Sequence, residues 1–128
     1  MTPRETVAAA SRKSRGEGRY RLSGQRAFAR VFEQGKRREG RFLQIVFAPA
    51  ETSELGRVGF IVSRKVMPLA VDRNRFKRKV RVGVRALRAA LVRYDIIVRV
   101  KNKLVRADIG AAAMEAETQL TRIAAQES

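Results

Sequence analysis

The sequence predicts an α+β fold, an α/β sandwich in which a single sheet of about four strands packs with three helices. Three observations predict it. The chain has 128 residues, enough for one domain with one core and too few for two. Its apolar residues switch along the chain between helical spacing and short runs of β-formers. Apolar residues make up 45% of the chain and aromatics only 6%, so the core is aliphatic, built mainly from Val, Leu, Ile and Ala.

Residues 1–20 are polar, basic and without period, and read as a mobile arm ahead of one domain over 21–126. In "LSGQRAFARVFEQGK" Ser23 can cap a helix beginning near Gln25, and Gly35 can end it in the left-handed conformation. Phe28, Val31 and Phe32 form its apolar stripe. A phenylalanine pair at this spacing is either core or the wall of a cleft on which single-stranded bases stack, and both readings stay open. "RFLQIVFA" (Arg41–Ala48) and "RVGFIVS" (Arg57–Ser63) read as strands on either side of the loop "APAETSELG". Pro68 in "RKVMPLAV" excludes a regular helix or a central strand there. Asp72 can cap a helix running from Arg73 to about Val92. "YDIIVRVK" (Tyr94–Lys101) is a third clear strand, with Asp95 at its entrance. Asp108 can cap a last helix that carries Ile109, Ala113, Ala116, Leu120 and Ile123 on one face.

Charge narrows the function. The 29 basic and 12 acidic residues leave a net charge of +17, which calls for a polyanionic partner or bound counterions. Arg outnumbers Lys by 22 to 7, which suits bidentate phosphate contacts but equally fits a genome that favours Arg codons. There is no Cys and no His, so disulfides, thiolate metal sites and the commonest general base are excluded. The carboxylates are scattered, and neither a nucleophile elbow nor a phosphate-cradling glycine loop occurs. No catalytic residue and no protein-bound metal is expected. No apolar run approaches the roughly 20 residues of a membrane span, and no export signal is visible, so a cytoplasmic protein without a membrane partner is expected.

The strongest signal lies in "VDRNRFKRKVR" (Val71–Arg81) and its continuation. Eight basic residues and no acid occur between Arg73 and Arg88. On a helical wheel Phe76, Val80, Val84, Leu87 and Leu91 fall within roughly 80° of arc. Lys77, Arg88, Arg81, Asn74, Arg85 and Arg78 occupy about the next 100°. Like charges four apart destabilise an isolated helix by a few tenths of a kcal/mol per pair. A bound polyanion offsets that, and nucleic acid is the expected partner.

Arg73-Asn74-Arg75-Phe76-Lys77-Arg78-Lys79-Val80-Arg81 resembles the Arg-Asn-Arg signature of the bacterial ribonuclease P protein subunit. The flanking order is similar too: Phe28 and Phe32 before Gly35, Val58-Gly59-Phe60-Ile61-Val62-Ser63-Arg64-Lys65, and Tyr94-Asp95-Ile96-Ile97-Val98. The likeness spans roughly residues 20 to 125. It implies an accessory subunit of a ribonucleoprotein endoribonuclease that removes the 5′ leader of precursor tRNA. The RNA subunit then performs the hydrolysis and holds most of the Mg²⁺, the protein lowers the Mg²⁺ requirement, and no obligate protein partner is needed. It also implies a left-handed β-α-β crossover through the basic helix. Carried over residue by residue, the catalytic RNA meets Arg64, Lys65, Arg73, Asn74, Arg75, Lys77, Arg78 and Arg81. The leader meets Phe28 and Phe32 in a cleft between the first helix and the sheet. Two departures stand out. Met67-Pro68 replaces the family's frequent Gly-Asn, and Val46 stands where an aromatic commonly lines the cleft. Phe42 is the aromatic that substitutes if it points the same way. The competing classes are a structural RNA-binding protein with no processing role and a protein enzyme acting on RNA alone.

Overall fold

A computed structural model describes residues 21–51 and 56–127. The arm expected over residues 1–20, and part of the loop at residues 52–55, lie outside the described residues. The elements are helix α1 (Gln25–Gln34), strands β1 (Lys36–Glu39), β2 (Leu43–Pro49) and β3 (Val58–Ile61), helix α2 (Ala70–Ala86), the single turn α3 (Arg88–Leu91), strand β4 (Tyr94–Val100) and helix α4 (Ile109–Glu127). A 3₁₀ turn over Arg106–Asp108 leads into α4.

The strands form one mixed sheet in the order β1-β2-β4-β3. β2 pairs antiparallel with β1 and β4, and β3 lies parallel to β4, so β3, α2 and β4 form a β-α-β unit. Strand side chains alternate between faces, and the two central strands are apolar on both. Leu43, Ile45 and Phe47 of β2, with Ile96, Val98 and Val100 of β4, join Phe76, Val80 and Val84 of α2 in one core. Ile109, Ala113, Ala116, Leu120 and Ile123 of α4 complete that layer, all buried as the helical spacing predicts. On the opposite face Val46, Ala48 and Ile97 pack under Leu22, Phe28 and Val31 of the α1 segment. A helix on each face of β2 explains why six consecutive residues of that strand are buried.

Several boundaries differ from the sequence reading. The N-cap of α1 is Gly24 at φ 91°, one residue after Ser23, with no side-chain cap. Gly35 is extended (φ −85°, ψ 156°), not left-handed. A Cβ there would meet the Val31 carbonyl oxygen at 2.4 Å and Val46 Cγ1 at 2.8 Å, so close approach is what demands glycine. α2 starts at Ala70, with Leu69 as N-cap, because the backbone N–H groups of Asp72 and Arg73 both reach the Leu69 carbonyl at 3.1 Å. Asp72 sits inside the first turn, and Arg106 Nε donates to its carboxylate at 3.0 Å. The helix does not run unbroken to Val92. Leu87 leaves helical geometry, and one further turn follows, which makes four helices among the described residues where three were expected. β1 has no counterpart among the three strands read from the pattern; it is "KRRE", an edge strand with little buried surface.

Candidate nucleic-acid interface

α2 orders its cations into two rows. Arg73, Lys77 and Arg81, four residues apart, form the inner row against β3 and the segment before α1. Arg73 sits at the helix start, where Nη1 reaches back to the carbonyls of Met67 (2.8 Å) and Pro68 (3.0 Å). The Met67-Pro68 departure is thus pinned to the helix by a signature arginine. Lys77 is only 7% exposed. Burial first, then the charges of Arg81, Arg73 and Arg21, push its amine down to about 8 from its ordinary 10.5. The Arg81 guanidinium lies over the Phe60 ring of β3 at 5.0 Å from its centroid. Arg21 arrives beside this row because it bridges to Val58, with the Leu22 N–H donating to the Val58 carbonyl at 3.1 Å.

Asn74 and Arg78 form the outer, exposed row of α2, and Arg75 is exposed a further turn of about 100° round the helix. Arg64 and Lys65 are exposed on the turn that follows β3. The eight residues expected at the catalytic RNA lie on the β3–α2 connection and on the helix it enters, where they point in several directions round its axis. Arg21 joins them in the structure and was not legible in the pattern, since only strand pairing brings it there.

The second surface lies on the opposite face of the sheet, around α1. Phe28 is buried, and its Cζ stands so near Gly59 that a Cβ there would approach it to 2.6 Å. Phe32 is half-buried, and Arg37 of β1 caps its ring at 5.3 Å. Val46 is fully buried beneath α1. Phe42 does not share this face: it packs against the α2–α4 core, with Arg41 over its ring at 5.2 Å. Of the four residues expected at the leader, only Phe32 keeps part of its surface in the cleft.

α1 is fastened by Asp95, a carboxylate with no exposed surface. It accepts hydrogen bonds from Arg30 Nη2, from the Arg57 backbone N–H at 3.0 Å and from Arg57 Nη2 at 3.1 Å. The hydrogen bond to Asp95 raises the Arg57 guanidinium above its usual range. The Tyr-Asp pair that opens β4 thus ties the cleft helix to the sheet and to the loop before β3. At the other end of the sheet Glu115 of α4 accepts from the backbone N–H groups of Arg41, Phe42 and Leu43 at 3.0–3.2 Å. Among the described residues no group of three or more His, Cys, Asp or Glu is gathered that could hold a metal ion, and no helix is long and apolar enough to cross a membrane.

Fold and surfaces define a small basic α+β protein with a cationic helix, acid-free beyond Asp72 of its first turn, on one face of its sheet and the short helix α1 on the other. A family model described as Ribonuclease P matches residues 17–124, and the chain belongs to that family. It is 39% identical over 71 residues to a ribonuclease P protein component from Pseudanabaena sp., a match covering 56% of this chain and 61% of that protein. It is 36% identical over 96 residues to the ribonuclease P protein component of Syntrophomonas wolfei, covering 74% and 75% of the two chains. The solved RNase P protein from Thermotoga maritima superposes with a TM-score of 0.65 at 26% identity, over 84% of this chain and 98% of that one.

Proposed function

We propose that this protein is the RNA-binding accessory subunit of a ribonuclease P that removes the 5′ leader from precursor tRNA. α2 and the β3–α2 turn hold the catalytic RNA, and the α1 cleft receives the single-stranded leader. The RNA carries out the hydrolysis with its Mg²⁺ ions. The observation that carries this reading is the inner row of α2, where Lys77 is buried among Arg73, Arg81 and Arg21. Burial keeps most water from a cation placed there, and the charges that push its pKa down are all positive. A phosphate backbone supplies the missing negative charge. Membership of the family and the net charge of +17 support the same partner.

Reconstitution tests it. RNA-free protein should not cleave precursor tRNA, since the chain offers neither His nor Cys. Adding protein to the RNA subunit should bring cleavage at lower Mg²⁺ than the RNA needs alone, because protein cations replace ions between the phosphates. Cleavage by protein alone would make it an enzyme in its own right. RNA binding without any effect on cleavage would make it a structural RNA-binding protein.

A further inference from the structure

On the sheet face that carries α1, Glu39 pairs in one row with Gln44, Gln44 with Arg99, and Arg99 with Ile61. These positions share a face with Val46 and Ile97, which lie under α1, and one end of the row opens to solvent. Glu39 and Arg99 are exposed, Ile61 is half-buried and Gln44 is 7% exposed.

The hydrogen bonds in this row run in one direction. Gln44 Nε2 donates to Glu39 Oε2 at 2.6 Å, and Gln44 Oε1 accepts from Arg99 Nη1 at 3.3 Å. The other Glu39 oxygen accepts from Lys101 Nζ at 2.9 Å. The hydrogen bonds from Gln44 and then Lys101 hold the Glu39 carboxyl below the ordinary carboxylate range. An ionised Glu39 can only accept, so the Gln44 amide cannot flip and its oxygen stays turned to Arg99. Both oxygens of Glu39 and the oxygen of Gln44 are engaged. What the row offers a ligand is the remaining N–H fork of Arg99, on the same sheet face as α1, whose Phe32 ring carries the Arg37 guanidinium. Arginine only donates.

We propose that Arg99, oriented by Gln44 and Glu39, selects the leader nucleotide that reaches this row, favouring guanine or cytosine over adenine or uracil. This rests on the reading that the leader enters the α1 cleft. A rigid fork needs two adjacent acceptors. Guanine presents N7 beside O6, and an unpaired cytosine presents N3 beside O2. On their pairing and Hoogsteen edges, adenine sets its ring acceptors beside an amino donor, and uracil sets its carbonyls beside the N3 donor. Each therefore aims an N–H at the guanidinium.

The test uses the reconstituted holoenzyme and precursor tRNAs with an all-adenosine leader, changed at one position at a time to guanosine, cytidine or uridine. Wild type should bind guanosine and cytidine roughly 5- to 100-fold more tightly than adenosine or uridine at one leader position. Arg99→Ala should bind all four alike there. Arg99→Lys should also lose the discrimination while keeping more of the overall affinity, because the charge remains and the fork does not. A preference that persists in Arg99→Ala, or no preference at any position in wild type, overturns the assignment. Truncated leaders separate the two levels. If affinity depends on leader length but not on base, only the role of Arg99 fails; if long and absent leaders bind wild type equally, the cleft reading fails with it.

Discussion

Lys77→Met keeps the length of the side chain and removes its charge from the inner row of α2. Lys77 is 7% exposed as a residue, and the pKa of its amine has fallen from 10.5 to about 8. One pKa unit corresponds to about 1.4 kcal/mol, so the charged amine destabilises the free protein by about 2 kcal/mol once water reaching its outer end is allowed for. At neutral pH the variant should therefore be the more stable protein by about 2 kcal/mol, roughly 10 °C in thermal midpoint for a domain of this size. The sign follows from linkage. The folded pKa lies below the unfolded one, so between about 8 and 10.5 the unfolded chain binds more protons, and wild-type stability rises with pH through that window. The advantage of the variant should be full below pH 8 and vanish above 10.5. Urea unfolding of both proteins at a series of pH values measures this, and the difference between them cancels other titrating groups. Affinity for the catalytic RNA should move the opposite way: lower for Lys77→Met at neutral pH, and falling for wild type as the pH passes about 8. A variant no more stable than wild type at neutral pH, or a difference that ignores pH, refutes the reasoning.

Asp95→Asn leaves Arg30 and Arg57 without their carboxylate and should destabilise the fold by about 3 kcal/mol, read by urea denaturation; the loss should shrink when Arg30 is already alanine. Gly35→Ala drives a methyl to 2.4 Å from the Val31 carbonyl and should lower stability by about 1–3 kcal/mol in a thermal melt. The two cleft phenylalanines should separate. Phe28→Ala should remove about 3–5 kcal/mol of folding stability and every activity with it. Phe32→Ala should leave the melt nearly unchanged and lose about 1–3 kcal/mol of affinity only for leader-bearing substrate.

How much of this was legible in the sequence depends on how local the cause is. The apolar faces of α2 and α4 were readable because helical spacing alone places Phe76, Val80 and Val84, or Ile109, Ala116 and Leu120, on one side. β2 and β4 were readable because strands covered on both faces read as near-continuous apolar runs, broken here only by Gln44, Asp95 and Arg99. β1 was not, since an edge strand protected by Lys36, Arg37 and Arg38 carries no hydrophobic alternation. The site divides in the same way. The cations of α2 announce themselves within one stretch of sequence. Arg21, Arg37 and Arg99 acquire their places only through strand register, which for Arg21 and Arg99 sets residues dozens of positions apart side by side. Asp95 reads as a strand-entry residue, and its partners Arg30 and Arg57 are found only once α1 and the loop before β3 converge on it.

Under the proposed function, strand alternation accounts for how one small domain can carry two RNA surfaces. Odd-numbered β2 residues, Leu43, Ile45 and Phe47, anchor the layer that presents the cationic rows of α2. Even-numbered residues, Gln44, Val46 and Ala48, face α1 and build the cleft floor. The sheet thus stands between the two faces. A catalytic RNA held on α2 leaves the cleft open, so under the proposed function the leader binds to a protein already docked. The two sets of contacts then contribute nearly independent free energies. Losses from Arg78→Ala and Phe32→Ala should add within about 0.5 kcal/mol in precursor affinity. Strong coupling between them would mean that the catalytic RNA itself reaches round the sheet into the cleft.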